Sequence, residues 1–316
     1  MKESLTIPAP PQLPPELFRT CHLRSGARHL GRLGVFLFLY LGSAAAAIWL
    51  AGWTGSFWAW LGLIPLWVLA AASLHGISLF THEAVHGTLA CHRGWNGFLG
   101  ALCALPVLQN YSAYRVLHLR HHQHLGREGD PDHYANYTRW TWLVFVMHWL
   151  RLLIGYPVYI TMIPILGVKQ GTWRDRWGIL AETGAAVLMV WLAWTHLPAA
   201  WLWQGWGIPM IGINFMVNIR GMSQHTLLEE AQDEIRGTRS ILTHPLVRFF
   251  MCNENYHLEH HLYPGVPWHQ LPAVHAALGQ PLREQGAPYI RSYSAFVREF
   301  IRGSLQRSPL GTGRQS

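Results

Sequence analysis

His118, His121 and His122 read H-x-x-H-H, and His257, His260 and His261 repeat the pattern. His82 and His86 form a third group, H-x-x-x-H. On a helix, positions i, i+3 and i+4 share one face, so each group aims its imidazoles the same way. Imidazole is a common ligand of zinc, copper, iron and nickel. Eight histidines in three groups are too many for one tetrahedral ion and suit two metals in one pocket. A lone histidine is by default a structural residue, and His92, His133, His244, His269 and His275 are read that way. His124 follows the second triplet but points off its face. Two copies of the triplet are hard to obtain by chance, even in a chain with 20 histidines among 316 residues.

Those groups need a scaffold. Only 13% of the residues are charged, about half the content of a soluble domain. No Lys or Arg occurs between Arg32 and Arg93, or between Arg176 and Arg220. Each gap holds two apolar runs, 34–53 with 57–80 and 177–197 with 199–219, each long enough for a bilayer core of roughly 30 Å. The expected fold is all-α: a multi-pass membrane protein with four transmembrane helices in two hairpins, under a cytoplasmic helical cap holding a di-metal site. The run 140–166 contains His148, Arg151, Pro157 and Pro164 and is read as one or two helices in the membrane interface. If it crossed once, the two triplets would face opposite sides of the bilayer. The expected units are a flexible cytosolic tail over 1–30, a membrane domain over 31–303 and a loose tail over 304–316.

The net charge of +8 raises nucleic-acid binding, but the placement of the charges argues against it. All basic residues lie in the N-terminal, central and C-terminal segments, and neither hairpin turn, near Gly55 and Pro198, carries one. This positive-inside pattern places both termini and every histidine group on the cytoplasmic side. The N-terminus is Pro-rich and is not read as a secretory signal. Cys21, Cys91, Cys103 and Cys252 show no C-x-x-C spacing, so iron–sulfur and zinc-ribbon modules are unsupported, and disulfides are not expected.

His82-Glu83-Ala84-Val85-His86 also matches H-E-x-x-H, the zinc protease signature. An intramembrane protease of this kind needs a further ligand from another span, and Glu182 is the only acidic residue inside one. That reading leaves six clustered histidines unused. A histidine-rich metal transporter would require polar ligands within the spans, which are nearly free of them.

The three groups, spaced around two apolar hairpins, resemble the membrane fatty acid desaturase/hydroxylase superfamily. The likeness runs from about residue 60 to about residue 280 and is strongest in HEAVHG, RVLHLRHHQHLG, GDPDHY and NYHLEHHLYPGVPW. The last string is similar to bacterial acyl-lipid desaturases. The resemblance implies two bound iron ions held by His82, His86, His118, His121, His122, His257, His260 and His261, with His225 as a further ligand after the last span. Stearoyl-type animal enzymes carry an Asn four residues before that histidine, where Gly221 stands here. His257, in place of Gln, argues against the front-end branch. Asp130, Asp132, Asn253 and Asn255 are candidate partners for the outer nitrogens of the metal-facing rings.

The resemblance further implies O2 as co-substrate and a separate electron-transfer protein of ferredoxin or cytochrome b5 type, since no heme motif is fused at either end. The expected reaction introduces a double bond into an acyl chain of a membrane lipid. The alternative is hydroxylation or ketolation of a carotenoid or other lipid, which GDPDHY keeps open. A bacterial inner membrane is the expected location.

Overall fold

The charge-poor apolar runs fold into the longest helices of a computed structural model, which describes residues 9–53, 57–228 and 231–306. Helix α1 (Pro15–Cys21) leads to α2 (Gly26–Ala51) and α3 (Phe57–Val85). Ser25 starts α2 by accepting the Arg28 N–H, which satisfies one of the free donors of a helix N-terminus. α2 and α3 pack antiparallel at close range. A Cβ at Gly76 would lie 2.5 Å from the Phe36 ring, and one at Gly62 would lie 2.9 Å from Leu50.

Helices α4 (Arg93–Ala104) and α5 (Tyr111–His124) fold back on the histidine end of α3. A Cβ at Gly100 would stand 2.4 Å from that of Ala84. Asn96 donates to the Ala84 carbonyl at 2.7 Å. Asn110 caps α5 by accepting the Ala113 N–H, and its amide donates to the Ile179 carbonyl at 3.0 Å. One residue thus starts the helix of the first triplet and ties it to α7 (Trp173–His196).

Helix α6 (Thr141–Gln170) precedes α7 and breaks at Ile154, where φ is −135° and ψ 18°. Pro157 lacks the N–H that would reach the Leu153 carbonyl. Asn214 makes good the loss. Its amide donates to Leu153 at 3.0 Å, and its oxygen accepts the Tyr156 N–H at 3.0 Å. Helices α8 (Ala199–Leu202) and α9 (Ile208–His225) flank a π-helical turn at Trp203–Gly207, where the Tyr40 hydroxyl donates to the Gly205 carbonyl at 3.1 Å.

Four helices are long and apolar enough to cross a membrane: Gly26–Ala51, Trp60–Val85, Trp142–Gln170 and Trp173–His196. Three overlap the expected spans. The set differs in its remaining member. The run 199–219 is helical but divided by the π turn, whereas α6, expected in the interface, meets the length and composition requirement. The second pair is also not a close hairpin. α7 packs on α5 and α6, and α9 on α3 and α6. Trp49, Trp53, Trp60, Trp194, Trp201 and Trp203 are exposed at the end remote from the histidines, as in an interfacial aromatic belt.

Over the histidine end lies a small cap. Strand β1 (Ser240–Ile241) pairs in parallel with β2 (Tyr289–Ile290), with Ser240 opposite Tyr289. Around them stand α10 (Pro245–Phe250), α11 (His257–Leu262), α12 (Leu271–Glu284) and α13 (Tyr293–Gln306). The expected N-terminal tail is, from residue 9, part of this cap. Leu13 and Cys21 are buried with Leu258, Leu271 and Val274, and Leu17 packs on the same cluster. Leu17 and Cys21 fall at i and i+4 of α1, on one face, and the Tyr263 hydroxyl accepts the Leu13 N–H just before the helix. Residues 1–8 and 307–316 of the expected tails, and Gly55 of the first turn, lie outside the described residues, while α13 continues to Gln306.

Candidate metal centre

Four helix ends deliver the histidines to one place. His82 and His86 lie at the end of α3, His118, His121 and His122 in the last turns of α5, His225 at the end of α9, and the third group on α11. The ligand atoms of His82, His86, His118, His122 and His260 all lie within 4.8 Å of one another. Those of His121, His225 and His261 form a second set of the same tightness. The His257 Nε2 stands 3.1 Å from the Nε2 of both His225 and His261, joining it to the second set. All nine residues singled out in the sequence converge.

Their outer hydrogen bonds fix which nitrogen is bare. The His121 Nδ1 donates to Asp130 at 2.9 Å, and the His225 Nδ1 donates to the Gly237 carbonyl at 3.1 Å. The His82 Nδ1 is 3.2 Å from Glu254, and the His257 Nδ1 3.8 Å from the other oxygen of the same carboxylate. Carboxylates and carbonyls only accept, so the Nδ1 of His121 and of His225 carries the proton and the Nε2 presents a lone pair, while Glu254 stands where it favours the same tautomer of His82 and His257 without a formed hydrogen bond. The Nε2 atoms of His121 and His225 lie 3.3 Å apart. Two lone pairs facing at that range repel, and a cation between them removes the conflict. Buried Nε2 atoms of His82 and His260 have no hydrogen-bond partner. The donor set fits metal cations held by neutral imidazoles.

Electrostatics agree. Burial, then the neighbouring imidazoles, holds His86, His118 and His122 well below the ordinary histidine range. Burial does the same for His225, His260 and His261. It brings His257 down to about 4 despite the Glu254 carboxylate. At His121 burial also opposes the charge, but Asp130 and Asp132 outweigh it and hold the pKa up. Burial works against the Glu254 carboxylate too, yet His82 and His260 keep it ionised, well below the usual range.

The four expected outer partners divide. Asp130 touches His121 and also accepts the Gly126 and Asp132 N–H groups. Asp132 stands farther off, 3.9 Å from the same ring nitrogen. Asn253 and Asn255 do not serve. Their amides donate to the Trp268 and Ile241 carbonyls, because the turn before α11 must be tied to the cap on both sides. The residue between them, Glu254, takes the role instead. Its signal was available: a carboxylate three residues before His257. The Gly237 carbonyl leaves no trace in a side-chain pattern.

The protease alternative loses its parts here. Glu83 accepts the Thr88 hydroxyl at 2.7 Å and the Trp268 N–H at 3.2 Å, and Glu182 accepts the Ser112 hydroxyl and N–H. The isolated histidines hold structure. His92 and His244 cap α4 and α10, His275 donates to Glu259, and His269 pairs with Arg28. His133 lines a cavity, and His124 joins neither set. All four cysteines are free. At Gly221 the space a side chain would need is filled by Arg151, whose Nη2 is 2.5 Å from where a Cβ would stand. A cavity of about 1040 Å³ opens onto His82, His118, His121, His225 and His257, with Ile154, Val158, Met162 and Leu166 of α6 along its wall.

Comparison with known proteins places this geometry. The chain is 30% identical over 293 residues to dihydrorhizobitoxine desaturase of Bradyrhizobium elkanii, covering 82% of this chain and 77% of that one. It is 22% identical over 254 residues to sn-1 oleoyl-lipid 12-desaturase of a Picosynechococcus species, covering 70% of each. It is 28% identical over 215 residues to beta-carotene 4-ketolase of Protosiphon botryoides, covering 65% of this chain and 49% of the relative. The sequence profile described as fatty acid desaturase matches residues 58–293. A membrane protein with nine converging imidazoles and a match of that extent is an oxidoreductase, and the chain belongs to the fatty acid desaturase family.

Proposed function

We propose that the protein is an O2-dependent, di-iron desaturase that introduces a double bond into a hydrophobic chain, with an acyl chain of a membrane lipid as substrate. The observation that carries this reading is the division of nine imidazoles into sets of five and four. His82, His86, His118, His122 and His260 would hold one ion, and His121, His225, His257 and His261 the other. Bound iron would supply the reduction of O2 and an oxidant strong enough for an unactivated C–H bond. Removing two hydrogens yields two electrons, and an external donor of ferredoxin or cytochrome b5 type supplies two more, which together reduce O2 to two waters.

The chain's own groups do the rest. Asp130, Glu254 and the Gly237 carbonyl fix ring tautomers and orientation. The apolar wall of α6 receives the substrate and keeps water from the reacting carbon. Neutral ligands leave the charge of the ions uncancelled, which favours an oxidising centre.

The same convergence supports a topology. If every group serves one centre, the chain between His122 and His225 crosses the bilayer an even number of times. Three long helical runs lie between them: α6, α7 and α8–α9. Helix α6 breaks at Ile154 and carries Arg151 and His148; it is the run we assign to the interface. Both termini and the centre then share the cytoplasmic side. In a bacterium this is the inner membrane.

A second reading, oxygenation of a carotenoid or similar lipid, is favoured by the likeness to a beta-carotene 4-ketolase, since both outcomes begin with the same hydrogen abstraction. Expression in a host, with gas chromatography–mass spectrometry of its lipids and pigments, decides. A new double bond supports desaturation. New oxygen on a pigment supports the second reading, and an unchanged profile with iron-loaded protein contradicts both.

A further inference from the structure

Two arginines line the cavity beside the histidines, Arg151 from α6 and Arg220 from α9. The Arg151 guanidinium lies across Gly221, one helical turn before His225. Its central carbon is 5.9 Å from the Tyr134 ring centre. The Arg220 Nε is buried and has no hydrogen-bond partner. Among the described residues, no carboxylate pairs with either guanidinium within 4.0 Å.

The described acidic residues of the same cavity do not pair with the arginines. Asp130 holds His121 and two backbone N–H groups. Asp233 accepts the Ile235 and Arg236 N–H groups. Asp132 acts on Arg151 only from beyond pairing distance, and its side chain is 52% exposed. A guanidinium withdrawn from water without a counter-charge is costly, and natural proteins pair such groups. Its planar fork of donors matches a carboxylate or a phosphate.

We propose that Arg151 and Arg220 form the recognition site for an anionic group of the substrate, a carboxylate or phosphate, at the polar end of the cavity whose apolar wall receives the chain. Gly221 belongs to the same device, because any side chain there would displace the Arg151 guanidinium. The substrate class is therefore an anionic amphiphile. A neutral hydrocarbon such as a carotene supplies neither cation with a counter-charge, although Tyr134 accepts a hydrogen bond from Arg151. The inference rests on the proposed reading of the cavity as the substrate site.

Binding to the full-length protein in neutral maltoside micelles tests it, with decanoate, decyl phosphate and decanol as probes and tryptophan fluorescence as the readout. Either anion is expected to bind at least about ten-fold tighter than decanol, and R151Q and R220Q are each expected to remove most of that preference. A stronger response to decanoate assigns a free carboxylate, and one to decyl phosphate a phosphate-bearing lipid headgroup. Equal binding of all three probes, or an anion preference that survives the double variant, overturns the proposal. The wild-type comparison needs no variant and stands even where one fails to fold. Anion preference without new double bonds in the host lipids would discard the desaturase reading and keep this site. New double bonds without anion preference would do the reverse.

Discussion

Glu254 stands against both sets of histidines, 3.2 Å from the His82 Nδ1 and 3.8 Å from that of His257. Losing a carboxylate that orients a metal-facing imidazole costs roughly 10–100-fold in metal affinity. Glu254→Gln is therefore expected to weaken iron retention by at least about ten-fold while the protein still inserts, as measured by metal content after dialysis against a chelator. Unchanged retention would remove Glu254 from the centre. The buried rings also set a pH dependence. His257 is brought down to about 4 from 6.5, and six others are held well below 6.5. As pH falls below the ordinary value, the unfolded chain takes up protons that the folded metal-free protein refuses, so stability falls with pH through that window. His257 alone withdraws about 2 kcal/mol by about pH 5. The melting temperature of metal-free protein should drop steeply between about pH 7 and about pH 5, and a flat profile would contradict the burial of neutral rings. At this scale the sequence displays the ligands well, because i, i+3, i+4 spacing is itself the geometry. It hides the outer partners, because Asn253, Glu254 and Asn255 are adjacent and only the turn before α11 decides which of them faces the rings.

Helix α11 has only six residues and carries three of the nine histidines, so something other than its own hydrogen bonds must hold it. Glu259, fully buried between His257 and His260, accepts the Ser240 hydroxyl at 2.5 Å, the His275 Nδ1 at 2.5 Å and the Tyr289 hydroxyl at 2.9 Å. These bonds tie α11 to β1, α12 and β2. Glu259→Ala leaves one buried and two half-buried groups unmatched, and the expected loss is about 3 kcal/mol, seen as a lower melting temperature with and without metal. A loss confined to the metal-loaded form would show that Glu259 acts on the ions rather than on the helix. The same residue illustrates a limit of sequence reading. Its partners lie 16 to 30 residues away, and a charge inside H-L-E-H-H reads first as part of the metal site. The long helices were easier, since a charge-free apolar run leaves few choices. The exception is instructive. The run 199–219 carries Gln204, Asn214 and Asn218 among its apolar residues, the π turn interrupts it, and Asn214 serves the break in α6. Apolar content reports a helix and not its depth.

With α6 in the interface, its N-terminal and C-terminal ends share one side of the bilayer, opposite the tryptophan-rich turn. Single cysteines at Asn136 and Gln170, in a background lacking Cys21, Cys91, Cys103 and Cys252, should react with an impermeant thiol reagent from the cytoplasmic face only. A cysteine at Trp53 should react from the other face. Labelling of Asn136→Cys and Gln170→Cys from opposite faces would make α6 a full crossing and break the shared topology. Such a result leaves open only which of α7 and α8–α9 stays in the interface, because the nine rings must still meet. What the sequence could not supply is the place of the N-terminal segment in the cap. Residues 9–30 read as a loose, Pro-rich tail, yet Leu13, Leu17 and Cys21 close over α11 and α12, a contact more than 200 residues distant in the chain. Nine histidines gathered around two irons fix a metal stoichiometry. Full-length protein purified from iron-replete cells should contain about two irons per chain. A value near one ion per chain, or zinc in place of iron, would contradict it.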